Sequence, residues 1–130
     1  MCLEVIAVPA EPDQVSAPAL ADVSGSMVTK SRRSKRNAFQ FTREPGCSCS
    51  LLGYEADWND PVWALDPQVL VGLAKAVELI ADRTNGVRFQ ALWIGEAPDT
   101  QDRLPLGQLL QAIQTNAIRN KHVYLVGKAR

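Results

Sequence analysis

Gly46-Cys47-Ser48-Cys49 is the one stretch of this 130-residue chain that sets two soft side chains close together. In an extended segment, residues two apart point to the same side. Two thiols then face one site, beside a glycine that lets a ligand approach the backbone. Such a pair suits a soft metal, zinc or cuprous copper, or a redox couple. A CxC motif is weaker evidence for metal than two CxxC pairs at zinc-finger spacing, and the ordinary role of a free cysteine is that of a small buried packing residue. Cys2 and the single histidine, His122, are the other soft side chains available to complete a four-ligand site. Each opens an expected strand, whereas Cys47 and Cys49 follow the end of one. The four can meet only if the strand containing Phe39 runs antiparallel to both the first and the last strand.

A second constellation is the basic run of Lys30, Arg32, Arg33, Lys35 and Arg36. It holds five of the 14 cationic residues and leaves nine cations against 14 anions elsewhere. Such a run can pair with phosphates without regard to sequence. No aromatic is interleaved to stack on bases, so a solvated loop that offsets an acidic body is the plainer reading and nucleic acid is not the expected partner. Glu96, Asp99 and Asp102 form a third group, after the strongest strand. Ligands gather at the carboxyl ends of strands in open α/β sheets, yet three acids in a loop are ordinarily just solvated. The chain carries no phosphate-binding glycine motif, nucleophile elbow or histidine-rich metal motif.

The elements that must position these groups centre on 66–95. Asp66-Pro67 reads as an N-cap followed by a first-turn proline. Val69, Leu73, Ala76, Val77 and Ile80 then recur at helical spacing, and Asn85-Gly86 supplies residues that tolerate positive φ at a helix end. From Val87 to Ile94 the period changes to two. Val87, Phe89, Ala91 and Trp93 share one face, and the other turns from polar (Arg88, Gln90) to apolar (Leu92, Ile94), the pattern of an inner strand covered on both sides over its second half.

Around this pair, Leu3–Val8 and Ala38–Thr42 read as strands and 122–126 as the last one. A second helix starts near Pro105, with Leu106, Leu109, Leu110, Ile113 and Ala117 as its stripe. The segment 11–23 allows a helix that Pro18 interrupts. Residues 24–37 read as a basic loop and 43–65 as a long loop ordered by its own side chains, because two indoles, Trp58 and Trp63, seldom hang free in water. The alternation of strands and helices implies crossover connections. The expected fold is α/β (α+β): one domain over 1–130, a two-layer sandwich with about four strands in a mixed sheet and two main helices on one face.

Composition narrows the class. At this length a chain folds without a metal or disulfide staple. Three cysteines, an odd number at low density, argue for a reducing, cytoplasmic setting. No apolar run approaches the ~20 residues that span a bilayer, and the first residues do not resemble a secretory signal. Zero net charge steers the protein toward neither nucleic acid nor anionic membrane. These features favour a small soluble protein that acts by binding or self-association, as a homodimer that hides a bare sheet face. They show no catalytic machinery and require no cofactor. The alternatives are a thiol-dependent metal or redox protein using Cys47 and Cys49, and a nucleic-acid module using the basic loop.

Overall fold

The computed structural model describes residues 2–11, 15–31, 37–53 and 61–130. Its elements are β1 (Leu3–Pro9), α1 (Ala17–Ser24), β2 (Met27–Lys30), β3 (Phe39–Thr42), a 3-10 turn (Ser48–Leu51), α2 (Pro67–Thr84), β4 (Gly86–Trp93), β5 (Thr100–Arg103), α3 (Leu106–Gln114) and β6 (His122–Gly127). The strands form one mixed sheet in the order β2-β3-β1-β4-β6-β5. All neighbouring pairs are antiparallel except β5 and β6. The fold is α+β.

Helix α2 forms where its capping signals place it. Asp66 Oδ1 accepts the Gln68 N–H at 2.9 Å, Pro67 sits in the first turn, and Asn85 ends the helix at φ 62°. Leu73, Val77 and Ile80 from α2, Leu109 and Ile113 from α3, and Val5, Phe89, Ala91 and Trp93 from the sheet belong to one buried cluster. Leu20 from α1 joins the same cluster, so all three helices cover one sheet face. Leu110 is only half-buried at its margin, and Ala117 lies beyond the helix and is exposed.

The sheet has six strands rather than about four. The two that the sequence hides, β2 and β5, are its edges. β5 is exposed throughout, and β2 is exposed apart from half-buried Val28. A strand solvated on both faces carries no apolar alternation, so the period-two signal is missing. Lys30 is consequently the last residue of a strand, and the expected 24–37 loop is shortened by β2. Arg32, Arg33, Lys35 and Arg36 lie outside the described residues, as does Trp58. The third helix, α1, is obscured in the sequence by Pro18. That proline stands in the first turn, where it needs no N–H partner, and Ser16 Oγ caps the helix by accepting the Ala19 N–H. Proline starts this helix instead of interrupting it.

Gly72 falls on the polar side of α2, yet it is not simply solvated. Helix α1 crosses there, and a Cβ on Gly72 would run into the Ser24 carbonyl. The expected crossovers reduce to a single parallel pair, β5 and β6, linked through α3. On the helix-free face, Ile6, Val8 and Ala38 form one small buried cluster, and Val123, Leu125 and Ala129 another. That face is therefore not the bare apolar patch from which association was expected. The large apolar side chains exposed among the described residues are Val23, Met27 and Val71, on α1, β2 and α2. No helix among the described residues is long and apolar enough to cross a membrane.

Candidate thiol site

The pairing of β1 with β3 covers only Ile6↔Gln40 and Ala7↔Phe39. Beyond it β3 diverges, and the N–H groups of Val5 and Leu3 still need acceptors, since buried donors left unpaired are costly. The Cys-Ser-Cys segment supplies them with side chains. Ser48 is fully buried; its Oγ accepts the Val5 N–H at 2.9 Å and donates to the Phe41 carbonyl at 2.5 Å. Cys49 Sγ accepts the Leu3 N–H at 3.1 Å. Ser50 fastens the other side, its Oγ accepting the Arg43 N–H at 2.9 Å. The segment is thus a turn pinned to the sheet by its serines and not an extended strand. The two thiols meet because Cys47 caps the 3-10 turn in an extended conformation and Cys49 lies inside it.

The turn also brings in Cys2. Cys49 Sγ lies on the Leu3 N–H, next to Cys2 in the chain, and both the Cys49 and the Cys2 thiols act on Cys47. Burial pushes Cys47 up, but hydrogen bonds from the Cys49 thiol and backbone, from the Cys2 thiol and from the Leu3 backbone outweigh it and hold the thiol below its ordinary value. Cys49 moves the other way. Burial raises it, the Leu3 N–H opposes, and the hydrogen bond and charge of Cys47, with the charge of Cys2, raise it further. The closeness of the sulfurs produces this split: charge on Cys47 is welcome, and charge on a neighbour is then resisted. Cys2 is exposed, Cys47 and Cys49 are half-buried, and none of the three is in a disulfide.

The strand geometry that a meeting of these residues required is present, since β3 is antiparallel to β1 and hence, through β4, to β6. It delivers Cys2 but not His122. β4 lies between β1 and β6, so His122 starts two strand spacings away, roughly 10 Å. Its ring is buried rather than a surface or turn feature. It stacks on Tyr124 at 4.5 Å between centroids, and its Nε2 lies 2.7 Å from Asp102 Oδ2 on β5. Asp102 is thereby a partner of His122 and no member of the thiol site. Among the described residues no group of three or more His, Cys, Asp or Glu side chains is arranged to hold a metal ion.

The turn after β4 adjoins the thiols. The Ile94 N–H donates to the Cys2 carbonyl at 2.7 Å, which fixes Cys2 between the ends of β4 and β3. Trp63 backs the region from the core: its Nε1–H donates to the Ala91 carbonyl at 3.0 Å, and its ring packs edge-on against Trp93. The sequence offers Cys2 together with His122 as the completion of a four-ligand site, and the fold brings Cys2 near the pair without His122. The available signal was the place of Cys2 one residue before β1, level with the end of an antiparallel neighbour.

Comparison with protein-family models, with curated proteins and with solved structures gives no match.

Proposed function

We propose that this protein acts through thiol–disulfide exchange, with Cys47 as the nucleophile. The observation that carries the reading is the docking of the Cys47–Cys49 turn on the start of β1, where Cys49 Sγ accepts the Leu3 N–H at 3.1 Å beside Cys2 and the thiols are at least partly exposed. The thiolate is the reactive form of cysteine, and the surroundings of Cys47 favour it. In the first step the Cys47 thiolate attacks one sulfur of a substrate disulfide. A mixed disulfide forms, and the other substrate sulfur leaves as a thiolate that takes up a proton. In the second step a neighbouring protein thiol, Cys49 or Cys2, loses its proton and attacks Cys47 Sγ. A protein disulfide forms and the second substrate thiol is released, so the protein pair is oxidised and the substrate disulfide is reduced.

Glutathione disulfide is the probe. Native protein treated with it should lose two hydrogens as an internal disulfide forms, and Cys47→Ser should abolish the reaction. Either Cys49→Ser or Cys2→Ser should trap the glutathione adduct on Cys47, which identifies the resolving thiol. Reaction only after unfolding would show that these cysteines are packing residues. Protection of both Cys47 and Cys49 by stoichiometric zinc would assign the pair to metal binding instead.

A further inference from the structure

The opposite end of the sheet carries a second site. A cleft of about 560 Å³ opens there on the helix-free face, lined among others by Val8, Glu11, Asn37, Arg88, Lys128 and Arg130. Its cationic side chains come from two separate parts of the chain: Arg88 from β4, and Lys128 and Arg130 from the segment after β6. We propose that this cleft binds a small organic phosphate, the phosphate held by Arg88, Lys128 and Arg130 and the carbon body resting against Val8 and its apolar neighbours.

Four observations support this. The cleft is within the size range of small-molecule sites. Among the described residues its side chains carry three positive charges against one negative, and that one, Glu11, accepts a hydrogen bond from the Asn85 amide at 3.2 Å. Arg88 stands opposite Val8 in the ladder, so it points to the helix-free face, and its Nε donates to Gln90 Oε1 at 3.2 Å. This holds a planar, permanently charged guanidinium on the cleft side of the sheet. Finally, the wall that presents Lys128 is built by close backbone contact. Gly86 and Gly127 face each other in the ladder, and a Cβ on either would strike the opposing backbone. The Lys128 N–H donates to the Asn85 carbonyl at 2.9 Å, and Arg103 reaches from β5 to hydrogen-bond the Gly127 and Ala129 carbonyls. Arg103 is a positioning residue, outside the cleft lining. Among the described residues the lining contains no aromatic ring to stack bases, which favours a small phosphate over single-stranded nucleic acid.

The test uses inorganic pyrophosphate with the whole chain, followed by calorimetry and by amide NMR shifts. Saturable binding should shift the amides of Glu11, Arg88 and Lys128. Lys128→Ala and Arg130→Ala, at exposed positions, and Arg88→Met should each weaken binding by about tenfold, the usual effect of losing one charge-assisted hydrogen bond. Lys75→Ala, on the exposed face of α2, should leave it unchanged. Three results would each overturn the proposal: no saturable shift at these amides up to about 10 mM pyrophosphate, equal weakening by Lys75→Ala, or tighter binding of a single-stranded oligonucleotide whose shifts lie outside the cleft.

Discussion

At the end of the sheet where β1 begins, side chains do the work of a missing strand. Ser48 and Cys49 accept the N–H groups that β3 no longer reaches, and the thiols come together as a by-product of that substitution. At the other end, backbone meets backbone directly: Gly86 and Gly127 allow two strand ends to touch, and the cations sit on β4 and on the segment after β6. The first arrangement couples chemistry to hydrogen-bonding side chains. The second couples charge to the absence of side chains. One core supports both, so changes can be chosen that injure both ends, or one end alone.

The largest effect should come from that common core. Trp63→Ala removes a buried indole, its hydrogen bond to Ala91 and its contact with Trp93, and should cost about 3–5 kcal/mol in urea unfolding. A loss under ~1 kcal/mol would show that the Trp63 packing contributes little. Next, Gly127→Ala should destabilise by roughly 2–4 kcal/mol, because φ is +62° and the new methyl meets the Asn85 carbonyl. Its damage should be confined to the cationic end, with pyrophosphate binding lost and the reaction of Cys47 with glutathione disulfide retained.

Ser48→Ala is the counterpart at the thiol end. It leaves the Val5 N–H and the Phe41 carbonyl without their partner, at about 1–3 kcal/mol, and should slow Cys47 modification while pyrophosphate binding stays as it was. Loss of both activities in either variant would mean that the two ends are not separable.

A smaller effect concerns protons. Cys47 is held low, so its native reaction rate with a thiol reagent should reach half-maximum at a lower pH than that of the unfolded chain. Cys2→Ser and Cys49→Ser should each shift that midpoint. Stability should respond little. A lowered thiol favours the fold above its ordinary pKa and loses that contribution as pH falls through the native value. A raised one, Cys49, favours the fold below its ordinary pKa and loses it as pH rises, so the two oppose each other. A native midpoint at or above the unfolded one would remove the case for Cys47 as nucleophile.

The smallest effect is at Asp66. The Gln68 N–H, partly offset by burial and helped by Arg43 at 2.8 Å, holds its carboxyl below the usual carboxylate range. Its contribution is present above that range and fades as pH falls through the native value. Acid unfolding of Asp66→Asn should therefore flatten slightly in that window, with neither end of the sheet altered.

Local chemistry alone determined the α2–β4 core. Asp66, Pro67 and Asn85 act within a residue or two of themselves, and the change from helical spacing to alternation at Val87 reflects which side chains must leave water. The CxC pair was legible for the same reason, as two thiols in neighbouring positions. The rest depended on what lies across space. Edge strands β2 and β5 are solvated and so leave no apolar pattern. Pro18 reads as a breaker until its place in the first turn is known. Cys2 joins Cys47 only because β3 runs antiparallel to β1 and stops short of it, while β4 separates His122 from both. The cleft draws Arg88, Lys128 and Arg130 together from opposite sides of the β4–β6 ladder. Sequence spacing governs what happens along a helix or a strand. Strand order and register govern which ends become neighbours, because they are set by the sum of many weak contacts across the whole sheet.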